Sequence, residues 1–407
     1  MLWNDFLKSR KITTFADVQR SHGGLYPGFL FLRHALAITI LLHHARILTR
    51  GPHDGSTGVI IGGDGATMAS ILFSQDALRP FLYSLVGAFF ALSGFLVAGS
   101  ALRNRSVKDF LLLRVFRLLP ALTTEIMLSA FILGPIVTEF TLSAYFTDHN
   151  LYEYFGNLVG FVQFDLPGVF IHNPFPDRVN ESLWTLEPEL ACYGLMALVM
   201  APGLLFNRRR FGIIMLIVTA VLAIVAFTGL ADINTRLDLT RFSHWFIVYL
   251  FFVGVVFKLF DEFLPVSLPL FVVCGVSYFF LLLTNGSDVM AGLCLVYCTA
   301  YVGALRFGWF DRICRWDISY GLYLYGFPIS QTLIHFLVPH YLGQDAKGVV
   351  VIMALSLFLT VCFASASWLL IEKPALKLKK LISPRVKEPY RPAPEAPAPD
   401  GSVRQPA

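Results

Sequence analysis

The sequence contains few charged residues, and this shortage constrains the class of the protein. Asp, Glu, Lys and Arg make up only 14% of the 407 residues, whereas hydrophobic residues make up 56%. Mean hydropathy is +0.65, and a typical soluble domain carries about 25% charged residues. The composition therefore disfavours a soluble protein and predicts that the lipid bilayer is its main surroundings.

Several chemical motifs are also missing. No Gly-x-Ser-x-Gly nucleophile motif occurs, and the glycine-rich residues 51–65 lack the Lys-Ser/Thr ending of a phosphate loop, so we interpret them as a connector. No cleavage site follows the first apolar run, which we expect to be an uncleaved anchor. The six cysteines show neither metal-ligand nor disulfide spacing, which favours core positions and no metal site; they are Cys192, Cys274, Cys294, Cys298, Cys314 and Cys362.

Ten long apolar runs are present instead. A membrane-spanning helix needs about 20 mostly apolar residues, and backbone groups in lipid must be hydrogen-bonded within their own segment. We therefore predict an all-α polytopic membrane protein with about ten transmembrane helices. Their expected positions are roughly 27–48, 79–100, from Pro120 onward, 188–206, 211–230, 242–260, 266–284, 288–306, 318–339 and 348–371. No internal repeat is evident, which disfavours a transporter of two duplicated halves.

The apolar runs divide the chain into three parts. Residues 1–26 mix aromatic and basic side chains, which fits either a segment lying on the membrane surface or a flexible leader. Residues 27–371 form one membrane domain, whose longest connection, 141–187, includes an aromatic stretch that a lipid-facing half helix would explain. Residues 372–407 form a tail that we expect to be disordered from about residue 384, where Pro, Ala and charge dominate.

Basic residues predict the orientation of these helices. With the N-terminus inside, 24 of the 32 Lys and Arg residues fall on the cytoplasmic side, as the positive-inside rule requires. The connection 141–187 carries several acidic residues and only Arg178 against them. We therefore expect both termini in the cytoplasm.

Arg33 and His44 lie eleven positions apart in the first predicted helix. At about 100° per residue they share one helical face, about 16 Å apart along the axis. Ionisable groups inside a membrane are costly and usually face a partner or a water-filled cavity, so this face is a candidate functional site. The alternative is an interfacial arginine together with a structural, hydrogen-bonded histidine.

A basic cluster follows the second predicted helix. It is explained either by the positive-inside rule alone or by a phosphate site, because guanidinium groups bind phosphate oxygens in pairs. Its members are Arg103, Arg105, Lys108, Arg114 and Arg117. Glu125 follows eleven residues after Arg114, and we expect it to neutralise an arginine, with Arg33 as a plausible partner.

A third cluster precedes the fourth predicted helix, which we expect to begin at the outer membrane surface. Trp184 there is explained equally well as an ordinary interfacial anchor or as part of a site that binds sugar hydroxyls or polarises an imidazole. The members are Asn180, Ser182, Trp184, Glu187 and Glu189.

These clusters suit acyl transfer from a thioester to a hydroxyl. That reaction needs a base for the alcohol proton and positive groups for the donor's phosphates. Because no nucleophile motif occurs, direct transfer with His44 as base is simpler than a covalent intermediate.

Five motifs in chain order resemble those of the integral-membrane acyltransferases of family 3, which acylate O-antigens, exopolysaccharides and Nod factors. The motifs are Phe31-Leu32-Arg33 with His44; FFALSGFLV (89–97) with Arg114-x-x-Arg117-x-x-Pro120; Asn180-x-Ser-Leu-Trp184-Thr-Leu-x-x-Glu189-x-x-x-Tyr193; Asp317-Ile-Ser-Tyr320-Gly-x-Tyr323-Leu-Tyr-x-Phe-Pro328; and Ile371-Glu372-Lys373-Pro374. Each motif is weakly specific alone, but the ordered set covers most of the membrane domain. Two positions depart from the pattern: Gly326 stands where many relatives have His, and Glu181 where they often have Gly.

The resemblance implies a co-substrate and roles for particular residues. It implies acyl-CoA, usually acetyl-CoA, from the cytoplasm as donor and a free or lipid-linked carbohydrate as acceptor. It also implies a bacterial inner membrane as the location, with membrane lipids as surroundings and no nucleic acid as partner. The implied catalytic residues are His44, Arg33 and Glu189. The residues implied to bind the donor are Arg33, Arg103, Arg114 and Arg117. The residues implied to bind the acceptor are Asn180, Trp184, Glu189, Tyr320 and Tyr323.

The expected function is therefore transfer of an acyl group, most simply acetyl, to a carbohydrate hydroxyl with His44 as general base. A transporter or flippase of a polar substrate would use the same buried charges and is the main alternative. A purely structural membrane subunit would explain the basic cluster but not the alignment of Arg33 with His44.

Overall fold

The computed structural model describes residues 13–51, 79–230, 235, 242–282, 284, 286–314 and 316–382. This part of the chain is helical and forms no β-sheet. Residues 1–12, nearly all of the glycine-rich connector and the tail beyond 382 lie outside the described residues, so the predictions made for them remain untested.

Ten long helices occur in the described residues, close to the ten apolar runs. Four segments are long and apolar enough to cross a membrane: Ser84–Asn104, Val107–Val137, Arg208–Thr228 and Ala346–Leu378. The all-helical, apolar fold is thus confirmed, while the number of spans and the orientation of the termini stay predictions. The helices are α1 (Phe29–Arg50), α2 (Arg79–Asn104), α3 (Val107–Leu128), α4 (Leu186–Met200), α5 (Arg208–Thr228), α6 (His244–Leu259), α7 (Leu268–Leu282), α8 (Asp288–Ala304), α9 (Ser319–Leu337) and α10 (Ala346–Ser367).

Helix α3 begins earlier than predicted. It starts at Val107, where the side chain of Ser106 accepts a hydrogen bond from the backbone N–H of Asp109, and Pro120 lies inside it. A proline in a membrane helix is tolerated because neighbouring groups satisfy the backbone atoms it leaves free. Arg114 and Arg117 therefore lie within a helix, three residues apart on one face.

Helices α3 and α10 each continue through a π-helical turn. These turns cover Ser129–Leu133 and Trp368–Glu372. After the second turn, Lys373–Ile382 forms a further helix, so the first residues of the predicted tail extend α10.

The connection between α3 and α4 enters the helix bundle. It contains short helices at Leu142–Thr147 and His149–Tyr154 and a 3₁₀ turn at Glu181–Thr185. Asn180 and Ser182 are almost completely buried, and the Asn180 side-chain amide donates to the carbonyl of Leu324 in α9 at 3.0 Å. Helix α4 therefore starts among the other helices rather than at an exposed edge.

The N-terminal helix Phe15–Ser21 docks against the chain that follows α6. Thr14 and Asp17 form its capping box, and the backbone N–H of Phe15 donates to the carbonyl of Leu264 at 3.1 Å. Nearby, Tyr26 donates to the carboxylate of Asp261 at 2.8 Å. The described part of this region, residues 13–26, is thus in contact with the helix bundle.

Candidate active site

A cavity lies among α1, α2, α3, α4, α6 and α9. It encloses about 940 Å³ of empty space, part of which opens to the surroundings. One side is apolar and includes Val86, Phe89, Leu96 and Phe251; the polar side is formed by Arg33, Arg114, Arg117, Thr185, Glu189, Tyr193, Ser319, Tyr320 and Tyr323. Each of the three sequence clusters thus contributes at least one residue to one site, and six predicted site residues line it.

Arg33 and Arg117 share one acidic partner. The Arg33 guanidinium lies 2.7 Å from Asp317 Oδ2, and the Arg117 guanidinium lies 3.0 Å from the same oxygen. The other carboxylate oxygen of Asp317 accepts a hydrogen bond from the Ser319 hydroxyl at 2.6 Å. Burial alone would raise the pKa of Asp317, but the two guanidiniums outweigh it and hold that pKa well below its usual range.

Arg114 has a different environment. Its guanidinium lies over the rings of Phe110 and Tyr193, 5.6 and 5.8 Å from their centroids. Among the described residues it forms no ion pair within 4 Å, and its buried Nε has no hydrogen-bond partner. The hydroxyl of Tyr193 donates to Glu189 at 2.6 Å, which brings a carboxylate into the same wall.

His44 lies beside the cavity rather than in its wall. Its Nδ1 is 3.4 Å from the Ser182 hydroxyl, and its ring meets Phe327 edge-to-face at 5.4 Å. The Tyr323 hydroxyl donates to the Ser182 carbonyl at 2.7 Å and lies 2.8 Å from the Thr185 hydroxyl. Because Thr185 and Tyr323 line the cavity, His44 is connected to it through Ser182.

Glu125 does not pair with Arg33, so that prediction is wrong. Its carboxylate accepts hydrogen bonds from Asn180 Nδ2 and the Ser129 hydroxyl, both at 3.0 Å. The pairing fails because Asp317, distant in sequence, approaches Arg33 from the start of α9, while the inserted connection brings Asn180 to Glu125. Asn180 consequently lies outside the residues that line the cavity.

The third sequence cluster is divided by the fold. Trp184 is buried and stacks on His244 with ring centroids 5.5 Å apart, and Glu187 lies 3.5 Å from the same histidine. Only Glu189, two residues further along α4, reaches the cavity. The division follows from the 3₁₀ turn, which directs successive side chains towards different helices.

Three further residues named in the sequence analysis have different surroundings: Tyr320, Gly326 and Arg103. The Tyr320 hydroxyl donates to the carbonyl of Leu118 in α3 at 3.2 Å. A Cβ at Gly326 would lie 2.9 Å from the Leu41 side chain, so this glycine allows α9 to approach α1 closely. Arg103, near the end of α2, is not among the residues that line the cavity.

Sequence reasoning did not predict the contacts of Asp317 with the two arginines. It also did not predict the contact of Ser182 with His44. Asp317 and Ser182 both stand inside the quoted motifs, yet the motifs give no information about which residues face each other. An acidic residue directly before an apolar run was the available signal for Asp317, since such a charge needs a nearby cation.

The fold and the site together define a membrane-embedded helical protein with a cationic cavity between its helices. The chain belongs to the acyltransferase 3 family, whose profile, described as "Acyltransferase domain", matches residues 31–369. The protein is therefore an acyltransferase, and the family and the apolar helices together indicate a membrane protein.

Two curated relatives are similar over most of the chain. One is an "O-acetyl transferase" of Shigella phage Sf6, 26% identical over 314 residues, which covers 72% of this chain and 87% of the relative. Another is "Nodulation protein 10" of Rhizobium leguminosarum bv. viciae, 28% identical over 340 residues, covering 78% of this chain and 86% of the relative. No solved structure matches the chain significantly.

Proposed function

We propose that this acyltransferase moves an acetyl group from cytoplasmic acetyl-CoA to a hydroxyl of an exported or cell-surface carbohydrate. The observation that carries the proposal is Arg114, a cation in the cavity wall that has aromatic neighbours and forms no ion pair within 4 Å among the described residues. A buried charge without an opposite charge is unfavourable, and an anionic ligand such as a CoA phosphate would compensate it. The relative named O-acetyl transferase supports the choice of acetyl.

In the proposed mechanism the thioester lies between the polar and apolar sides of the cavity. Arg114 binds phosphate, with Arg33 and Arg117 in the same wall, and the apolar side contacts the pantetheine arm and the acyl group. His44 takes the proton of the acceptor hydroxyl, the hydroxyl oxygen attacks the thioester carbonyl, and the CoA thiolate leaves and receives the proton. Ser182 holds the imidazole, because its hydroxyl is 3.4 Å from Nδ1.

The proposal is tested with His44→Ala in purified protein supplied with acetyl-CoA and surface glycan from the producing cells. Loss of a general base typically costs about 10²–10⁴ in rate, so we expect acetyl transfer to fall by at least about 100-fold. Release of free CoA and the mass gain of the glycan are the measurements.

His43→Ala is the matched control, since His43 is the neighbouring histidine on a different face of α1 and does not line the cavity. It should retain activity close to that of the unmodified protein. Full activity in His44→Ala contradicts the role of the base. Glycan movement without any CoA release would instead favour a transporter.

A further inference from the structure

Asp317 stands behind the two arginines rather than inside the cavity. Both guanidiniums contact its Oδ2, and the Ser319 hydroxyl holds its Oδ1. Arg33 and Arg117 line the cavity, whereas Asp317 is absent from its wall. The carboxylate therefore acts on any cavity ligand through the two arginines.

Each arginine uses one terminal nitrogen for this contact. Arg33 contacts Asp317 through Nη1 and Arg117 through Nη2, and a guanidinium has five N–H donors in a fixed planar arrangement. One nitrogen is thus fixed from behind while other donors stay available to the cavity. The shared oxygen also offsets the repulsion between two cations that contact the same atom.

The geometry points to Asp317 as a positioning residue that holds Arg33 and Arg117 in the orientation that binds the phosphates of the acyl-CoA donor. This inference rests on the proposed function, because it assumes an anionic donor in the cavity. The direction in which the affinity changes when Asp317 is replaced is informative. Removal of a negative charge near an anion site would by itself strengthen anion binding, whereas loss of the arginines' orientation weakens it.

The test is Asp317→Asn in the full-length protein, with unmodified CoA as the binding probe and acetyl-CoA as substrate. We expect the Kd for CoA and the KM for acetyl-CoA to rise about ten-fold or more, with a smaller fall in kcat. Asp317→Glu, which restores the charge one methylene further out, should recover part of the affinity. Asp311→Asn is the control, because Asp311 belongs to an exposed pair 3.9 Å from Arg306.

A second measurement separates positioning from a general structural role. In an Arg33→Gln/Arg117→Gln background, adding Asp317→Asn should change the Kd for CoA by less than about two-fold, since the coupled partners are already gone. An equal effect in both backgrounds would overturn the inference, as would unchanged or tighter binding in Asp317→Asn.

The outcomes also separate this inference from the proposed function. If the unmodified protein binds no CoA, the donor proposal fails and the inference fails with it. If the unmodified protein binds CoA and Asp317→Asn binds equally well, the inference alone fails. Should Asp317→Asn not fold, Asp317→Ser decides: an unchanged Kd for CoA in that variant, which lacks the carboxylate, overturns the inference.

Discussion

At the scale of single residues, the three cavity arginines differ in what compensates their charge. Arg33 and Arg117 contact Asp317, whereas Arg114 has aromatic neighbours and no ion pair within 4 Å among the described residues. The sequence alone gives no reason to distinguish the three. Arg114 and Arg117 belong to the basic cluster, and Arg33 belongs to the first motif. Only their surroundings separate the two cations that contact a carboxylate from the one that contacts none within 4 Å among the described residues.

Arg114→Gln should weaken CoA binding by about ten-fold, because one charge-assisted contact to phosphate contributes on the order of 1.5–3 kcal/mol. The loss should shrink as salt rises, since screening already weakens the contact in the unmodified protein. A titration of CoA at two salt concentrations measures both effects. Arg105→Gln is the matched control, as Arg105 lies over the Phe206 ring outside the cavity, and an equal loss in both variants would refute a specific role.

Glu125 shows what residue spacing alone cannot predict. Its position eleven residues after Arg114 correctly indicated a buried acidic group on α3, and it is only 1% exposed. Its partners are Asn180 and Ser129, and the first comes from a segment 55 residues away. Helical periodicity fixes which face a residue occupies, but not which distant segment covers that face.

At the scale of elements, α2 and α6 pack with their backbones in close contact. A Cβ at Gly94 would collide with the carbonyl of Phe251, and one at Gly254 with the carbonyl of Ala91. Small residues allow this approach between membrane helices. The pair fixes one wall of the cavity, because Phe89, Leu96 and Phe251 all come from these two helices.

Gly94→Ala should therefore destabilise the protein by about 1–3 kcal/mol, the range for inserting a methyl group into a tight interface. Gly99→Ala on the same helix is the control, since the atoms nearest to a Cβ there are side-chain atoms of Arg103 at 3.5 Å and Lys258 at 3.7 Å, which are ordinary contact distances. Thermal unfolding in detergent compares the two variants. Equal melting temperatures for both would contradict the close packing of α2 and α6.

The limits of α3 and α4 were harder to predict than the existence of the helices. Pro120 suggested a helix start, yet α3 begins at Val107. The start predicted for α4, near residue 188, is close to the observed Leu186, and the turn that precedes it is buried. Its expected place at the outer membrane surface stays a prediction. Hydropathy identifies the apolar run and does not measure how deeply its ends are inserted.

At the scale of the whole molecule, the distribution of Lys and Arg predicts a definite orientation. Helix α5 is well suited to a test of this orientation. It is one of the four segments that are long and apolar enough to cross a membrane, and its apolar surface is largely exposed. Asn207 precedes it and Gly229 follows it, and the basic residues Arg208 to Arg210 stand at its start.

Reporter fusions test this orientation. A fluorescent protein fused after Asn207 should fluoresce in the cytoplasm, and alkaline phosphatase fused after Gly229 should be active, as it requires export. The reciprocal fusions, phosphatase after Asn207 and fluorescent protein after Gly229, serve as controls and should be silent. The opposite pattern would place the donor side of the cavity outside the cell and contradict a cytoplasmic acetyl-CoA donor.

The sequence by itself determined that the chain is helical and apolar, that α1 carries Arg33 and His44 on one face, and that five ordered motifs indicate an acyltransferase. The first two properties are local, since composition and periodicity act within one segment, and the third rests on resemblance to a known family. The tertiary structure decided that Arg33 and Arg117 share Asp317, that Ser182 connects His44 to the cavity, and that Trp184 and Asn180 stand apart from it. The physical reason is that burial requires each polar group to find a partner, and which partner it finds depends on how distant segments pack.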